Sequence, residues 1–242
     1  MIPIKSCVDW NVLNSCPFEE EPYHTSLLNH TSTTLDERLS FVQKQFQSSY
    51  KDFKPLEDYT FPPHSLDLFY SLLTLHWHQD LPSIFAKIKR ALTPQGLFIG
   101  ALLGEHTLQE LRSVFVYREE KLLGHVTPRF LPLPSSHTIA IMLQQAGFIS
   151  PVVDREMIVQ EYDSLKDLYQ ELRLIGGKNC LKGRFKGLTT PRFMNACEAL
   201  YKSKFSNASG KVFATFEVVY LIAWQAAVDP DNVKNERDGK YL

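Results

Sequence analysis

No glycine-rich phosphate-binding loop, no paired-cysteine metal motif and no long apolar run occurs in the 242 residues. Each absence removes a class of function. The four cysteines, Cys7, Cys16, Cys180 and Cys197, fall in no C-x-x-C pair and no zinc spacing, which points to reduced thiols in an intracellular compartment, serving as small core hydrophobes. Without an apolar stretch near the ~18 residues that a bilayer span requires, no integral membrane segment is expected. A formal net charge of −1 supplies no global field to draw the chain onto nucleic acid. No Ser-His-Asp order competes for a hydrolase reading. The start, MIPIKSCVDWN, reads as neither a secretory signal nor an arginine-rich transit peptide, which leaves a bacterial cytoplasm or a mitochondrial matrix without a visible presequence.

What is present is a chain with 44% hydrophobic residues and enough length to bury a full core. LDLFYSLL is a continuous apolar run of the kind expected of a strand covered on both faces. In LPSIFAKIKRAL, Ile84, Phe85, Ile88 and Leu92 recur at helical spacing, and Thr93, Pro94, Gln95 and Gly96 then break the helix. GLFIGALL follows as the next strand. Two apolar strands joined by a helix predict a parallel pair, Leu66–Leu72 beside Gly96–Leu103. SSHTIAIMLQQAGF predicts a helix capped by Ser135 or Ser136 and ended at Gly147. PVVDREMIVQEY and KVFATFEVVYLIAWQ read as strands, with a helix from about Thr190 to Phe205 between them, and the last seventeen residues as a polar tail.

The run SLDLFYSLLTLHWHQDLPSIFAKIKRALTPQGLFIGALLGEHTLQELR, with the GHVTPRFLPL loop and the DLYQELRLIGGKNCLKGR and ATFEVVYLIAW segments in that order, resembles the class I S-adenosylmethionine-dependent methyltransferases. More narrowly it is similar to the mitochondrial complex I assembly factor 5 family and its BioC-like bacterial relatives. The resemblance implies a Rossmann-like α/β fold with a mostly parallel seven-stranded sheet and an antiparallel last strand, shortened at its N-terminus. It also implies one domain over residues 1–225, with an insert at about 164–206, and S-adenosylmethionine as the family's cofactor. A subunit or assembly factor of respiratory complex I is the implied partner.

The resemblance places the family's first strand at Trp10–Leu13 and its glycine-rich turn at Asn14, Ser15, Cys16, Pro17 and Phe18, which include no glycine. Three carboxylates, Glu19, Glu20 and Glu21, follow. Loss or weakening of cofactor binding is the expectation; an active methyltransferase or an arginine hydroxylase acting on a complex I subunit is the alternative. Asp36 takes the place of the acidic residue that accepts from both ribose hydroxyls at the end of the second strand, or serves as a helix N-cap. Glu57 lies where the family carries an acidic pair near the adenine, the first of that pair being Pro55 here. His76 and Trp77 follow a buried strand at its carboxyl end, where ligands bind in open α/β sheets. Alternation sends His76 and His78 to one side of an extended segment with no third ligand, so no metal is expected. Glu105, His106, Arg112, His125 and Arg129 form the candidate substrate or partner face, where a carboxylate beside an imidazole can do acid–base chemistry. Lys178, Lys182, Arg184, Lys186 and Arg192 make the insert locally basic and suited to an acidic partner surface.

Overall fold

The computed structural model describes residues 7–15, 25–177, 179–185, 187 and 189–227. Its centre is a sheet of five strands among the described residues: β1 (Ser49–Asp52), β2 (Leu66–Leu72), β3 (Leu92–Leu103), β4 (Ile149–Tyr162) and β5 (Val212–Trp224). Their spatial order is β1-β2-β3-β5-β4. β1, β2 and β3 are parallel, and β5 enters antiparallel between β3 and β4. The parallel pair expected from sequence is present, with Leu68 opposite Leu97 and Leu72 opposite Ala101. The antiparallel last strand is present too, pairing Leu97 with Trp224 and Leu103 with Val218.

Strand alternation sorts the core into two layers. On one face Tyr70, Ile99, Val218 and Tyr220 pack under α2 (Ser26–Ser40), α4 (Gln109–Leu123), α6 (Leu165–Leu174) and α7 (Pro191–Lys204). On the other, Phe69, Phe98, Leu102, Val219 and Leu221 pack under α3 (Leu81–Ala91) and α5 (Ser136–Gln145). The caps are those the side chains allow: Asp80 accepts from Ser83 N, Ser135 from Thr138 N, and Thr190 from Phe193 N. β3 begins at Leu92 rather than Gly96, because α3 ends at Ala91 and the chain straightens at once, with positive φ at Gln95.

Three expectations fail. Five strands, not seven, are found among the described residues. The expected first strand is instead a short helix, α1 (Trp10–Asn14), because the Asp9 carbonyl accepts from Val12 N and Leu13 N at 3.0 Å each and closes a helical turn. Asp36 ends no strand and caps no helix; it lies within α2, whose N-cap is Thr25. That helix forms because Leu27, Thr31 and Leu35 recur every four residues on one buried stripe, and the Thr31 hydroxyl donates back to the Leu27 carbonyl at 2.8 Å. The polar tail lies largely outside the described residues.

The packing layer under α3 and α5 is organised by rings. Phe98 is fully buried and meets Phe69, Phe85 and Phe148 at centroid distances of 5.7, 5.9 and 5.7 Å. Phe98→Ala is expected to cost about 4 kcal/mol, read as a lower urea midpoint with an unchanged m-value; a loss under ~1 kcal/mol would show that the layer collapses onto the gap.

Candidate functional site

The carboxyl ends of β2 and β3 open onto a cavity of about 220 Å³. Its floor is His76 and Trp77, from the 3-10 turn Leu75–Trp77 that follows β2, together with Leu103 of β3 and Phe216 of β5. Leu108, Leu111, Arg112 and Phe115 of the α4 region form one wall, Arg129 to Leu133 a second, and Tyr169, Leu172 and the loop to Leu181 the third. The lining is largely aliphatic and aromatic, with four polar atoms that have no partner among the described residues: His76 Nδ1, Trp77 Nε1, Arg112 Nε and Tyr169 Oη. Leu108 takes a left-handed conformation, φ 56°, uncommon for a branched residue, at the point where the chain turns from β3 into α4.

His76, Trp77, Arg112 and Arg129, chosen from sequence, therefore meet in one cavity. The remaining candidates do not. The turn that carries His76 is 3-10 rather than extended, so alternation does not place His76 and His78 together. Glu57 is exposed and lines a separate polar groove with Trp10, Asp58, His78, Asp80 and Lys87. Asn14 is exposed at the end of α1, and Asp36 is exposed on α2. Glu105 and His125 are exposed, the latter turned onto the Leu123 carbonyl at 3.0 Å.

Two charged candidates are held by carboxylates that sequence inspection did not pair with them. His106 meets Glu217 of β5, not Glu105: the Glu217 Oε2 accepts from the His106 backbone N–H and lies 2.8 Å from Nδ1. Glu217 is 1% exposed, and it packs so closely on Gly104 that a Cβ there would lie 2.5 Å from the carboxylate carbon. A side chain at 104 would therefore displace the Glu217 carboxylate from His106. Arg129 donates to Glu119 at 2.6 Å and stacks over Phe115 and Phe193, both at 5.3 Å. Burial alone would raise the Glu119 pKa, but hydrogen bonds from Thr127 and Arg129 prevail and lower it. Arg129 thus braces the cavity wall as one half of an internal ion pair.

In the basic insert, Arg184 is held by Asp9 at 3.1 Å and by the Leu181 carbonyl at 2.9 Å, which makes it a tie between the N-terminal segment and the loop after α6. Lys182 and Arg192 are exposed. Lys178 and Lys186 lie outside the described residues, as do Cys16, Pro17 and Phe18 of the glycine-free turn and the carboxylates that follow them.

The residue that sequence reading missed is Asp52, the last of β1 and 1% exposed. It accepts hydroxyl protons from Tyr59 and Thr74 at 2.5 Å each and from Ser71 at 3.3 Å. Burial pushes its pKa up to about 6 against these bonds. Nothing in the sequence marks it beyond a strand ending in Asp. Above it, Tyr59 packs on His78 at 5.1 Å, and Trp10 of α1 packs on the same imidazole at 5.0 Å.

A family profile described as a methyltransferase domain matches residues 23–100. The zebrafish (Danio rerio) mitochondrial arginine-hydroxylase NDUFAF5 is 32% identical over 195 residues, 81% of this chain and 59% of the relative. The human protein of that name is 34% identical over 175 residues, 72% of this chain and 49% of the relative. A malonyl-[acyl-carrier protein] O-methyltransferase of Xylella fastidiosa is 35% identical over 174 residues, 72% and 57% of the two chains. The chain is therefore similar to a methyltransferase domain over residues 23–100 and to these relatives over most of its own length. It spans about half of the human relative's length and 59% of the zebrafish one's. A crystal structure from Bacillus halodurans C-125, described as a methyltransferase, superposes with a TM-score of 0.52 at 11% identity, over 80% of this chain and 99% of that one, and so supports the fold alone. No helix among the described residues of this methyltransferase-fold chain is long and apolar enough to cross a membrane.

The buried acid and imidazoles act on stability in opposite senses. Asp52, raised from 3.8 to about 6, favours the folded state most fully below pH 3.8 and loses that contribution as pH rises through 6. His76, lowered to about 3, and His78, lowered to about 4, both chiefly by burial, lose theirs as pH falls from 6.5. Asp52→Asn isolates the first effect: the stability difference between variant and parent is expected to move in the variant's favour by about 2 kcal/mol between pH 4 and pH 7. A difference independent of pH, measured by urea unfolding across that range, would show that Asp52 keeps an ordinary pKa.

Proposed function

We propose that the chain is a binding or assembly factor built on the methyltransferase fold, with S-adenosylmethionine binding weakened or lost. Its protein partner in this reading is a respiratory complex I subunit or assembly factor. The observation that carries the reading is the carboxyl end of β1. In open α/β sheets a ligand lies outside the carboxyl ends of the strands, where a nucleoside needs free acceptors for its hydroxyls. Here the Asp52 carboxylate is enclosed: its Oδ2 accepts from three hydroxyl groups of its own chain, and its Oδ1, without a partner among the described residues, is buried out of reach of solvent. The rings of Tyr59, His78 and Trp10 pack over it, and Leu13 of α1 is fully buried against Trp77. Asp36, the expected ribose acceptor, is on an exposed helix face.

The four cysteines and the near-neutral charge support an intracellular setting, a mitochondrial matrix or a bacterial cytoplasm, in keeping with the compartment printed for the NDUFAF5 relatives. The exposed Lys182 and Arg192 support a partner with an acidic face, docking at the insert. Methyl transfer demands alignment of nucleophile, methyl carbon and sulfur, so a chain that does not hold the cofactor does not perform it.

Calorimetric titration of the purified protein with S-adenosylmethionine is expected to give no dissociation constant tighter than the millimolar range. A micromolar constant would overturn the reading in favour of an active methyltransferase or arginine hydroxylase.

A further inference from the structure

The cavity described above has a chemical asymmetry that the binding-factor reading does not use. No Asp or Glu is among its described lining residues, while Arg112 and Arg129 both line it. Arg129 is matched by Glu119. Arg112 forms no ion pair among the described residues; its guanidinium lies 5.7 Å from the Phe130 ring centre. Its Nε–H and the Trp77 indole N–H are donors only, and both are buried without a partner. The Tyr169 hydroxyl and the His76 imidazole, likewise unpartnered, serve as donor or acceptor. Trp77 and His76 are 6% and 5% exposed, so solvent does not complete their hydrogen bonding. Buried polar groups in folded proteins are ordinarily satisfied, and four unpartnered ones on residues that line one cavity point to a missing acceptor.

We propose that this cavity binds an apolar monocarboxylate, with its carboxylate against Arg112 and the Trp77 indole N–H and its hydrocarbon body among Leu103, Leu111, Phe115, Leu133, Leu172 and Phe216. One unmatched cation suits one negative charge. The aliphatic and aromatic walls suit a hydrocarbon body, and Arg112 disfavours a cationic head. The site goes beyond the proposed loss of S-adenosylmethionine binding and does not depend on it: that reading concerns the end of β1 and the rings of Tyr59, His78 and Trp10, while this one concerns the space between α4, α6 and the 128–133 loop.

The test uses the full-length protein labelled with nitrogen-15, whose three tryptophans give three indole N–H resonances. Trp77→Phe assigns the relevant one by its disappearance. Sodium octanoate is expected to move the Trp77 indole resonance to saturation and to bind at least about tenfold more tightly than octylamine. Arg112→Gln is expected to weaken octanoate by about tenfold or more while changing 1-octanol less than about twofold, which separates the charge contact from hydrocarbon burial. A Trp77 resonance that stays in place at saturating octanoate, or octanoate binding no tighter than octylamine, overturns the proposal on the unmutated protein, whether or not the variant folds. Equal octanoate affinity in folded Arg112→Gln overturns the assignment of the head group. The two sites meet at Trp77, but the S-adenosylmethionine titration reads cofactor affinity and the octanoate series reads the charge preference of the cavity, so either result leaves the other standing.

Discussion

Strand β5 is hydrogen-bonded on both sides, to β3 along Leu97–Leu103 and to β4 along most of its length, although it comes last among the described elements. An antiparallel strand cannot reach a central position until its neighbours exist to flank it, so the sheet's right half is closed by the end of the chain. The turn after β3 depends on it. Gly104 N and Thr107 Oγ1 donate to the Glu217 carbonyl, and Leu108 N donates to the Thr215 carbonyl at 2.7 Å. Glu110, in the first turn of α4, accepts from Thr215 N and Thr215 Oγ1 at 3.1 and 2.5 Å. The cavity wall made by α4 is thus held against β5 by backbone and carboxylate together. α7 is tied by the Tyr201 hydroxyl, which donates to the Phe213 carbonyl at 2.8 Å.

Buried carboxylates recur in this chain, and among the described residues their contacts are internal. Glu119 and Glu217 each accept from a loop or turn, Glu110 ties α4 to Thr215 of β5, and Asp52 accepts from three hydroxyls at the end of β1. A buried charge is costly unless hydrogen-bonded, so each of these carboxylates gathers more than one donor, although at Asp52 all three hydroxyls fall on Oδ2 and Oδ1 has no partner among the described residues. This is why Arg129 and His106, which look like chemistry in a linear reading, act as internal ties. Arg112 differs because no carboxylate among the described residues comes to meet it.

The N-terminal segment and the loop after α6 close on one another. Val8 pairs with Leu181, Asp9 N donates to the Cys180 carbonyl at 2.6 Å, and Arg184 reaches back to Asp9. Leu13 and Trp77 share a small apolar cluster with Val8 and Cys180. A stretch that by resemblance would begin the sheet instead covers the end of the cavity nearest the turn after β2. A pentapeptide such as WNVLN is short enough that intrinsic preference does not decide between helix and strand. With no strand edge pairing it, the Asp9 cap and the burial of Leu13 decide.

Periodicity and punctuation determined most of the fold in advance. The apolar run of β2, the helical stripe of α3, the serine cap of α5 and the β-branched length of β5 are local properties, and local chemistry suffices to specify them. Resemblance supplied the antiparallel placement of β5, which no spacing contains. His76 and Trp77 were legible as cofactor candidates at a strand end, and Arg112 and Arg129 as part of a separate substrate or partner face; that the four line one cavity was not legible. Pairings between side chains far apart in sequence were not legible. Glu217 lies 111 residues from His106, and Asp52 lies 22 from Thr74. No periodicity links such positions; only the register of β5 between β3 and β4, and of β1 beside β2, brings them within hydrogen-bonding distance. The sequence by itself therefore determined β2, α3, β3, α5, β4, α7 and β5, and the tertiary structure decided the fate of the N-terminal segment, which charges are internally matched among the described residues and which one is left facing the cavity.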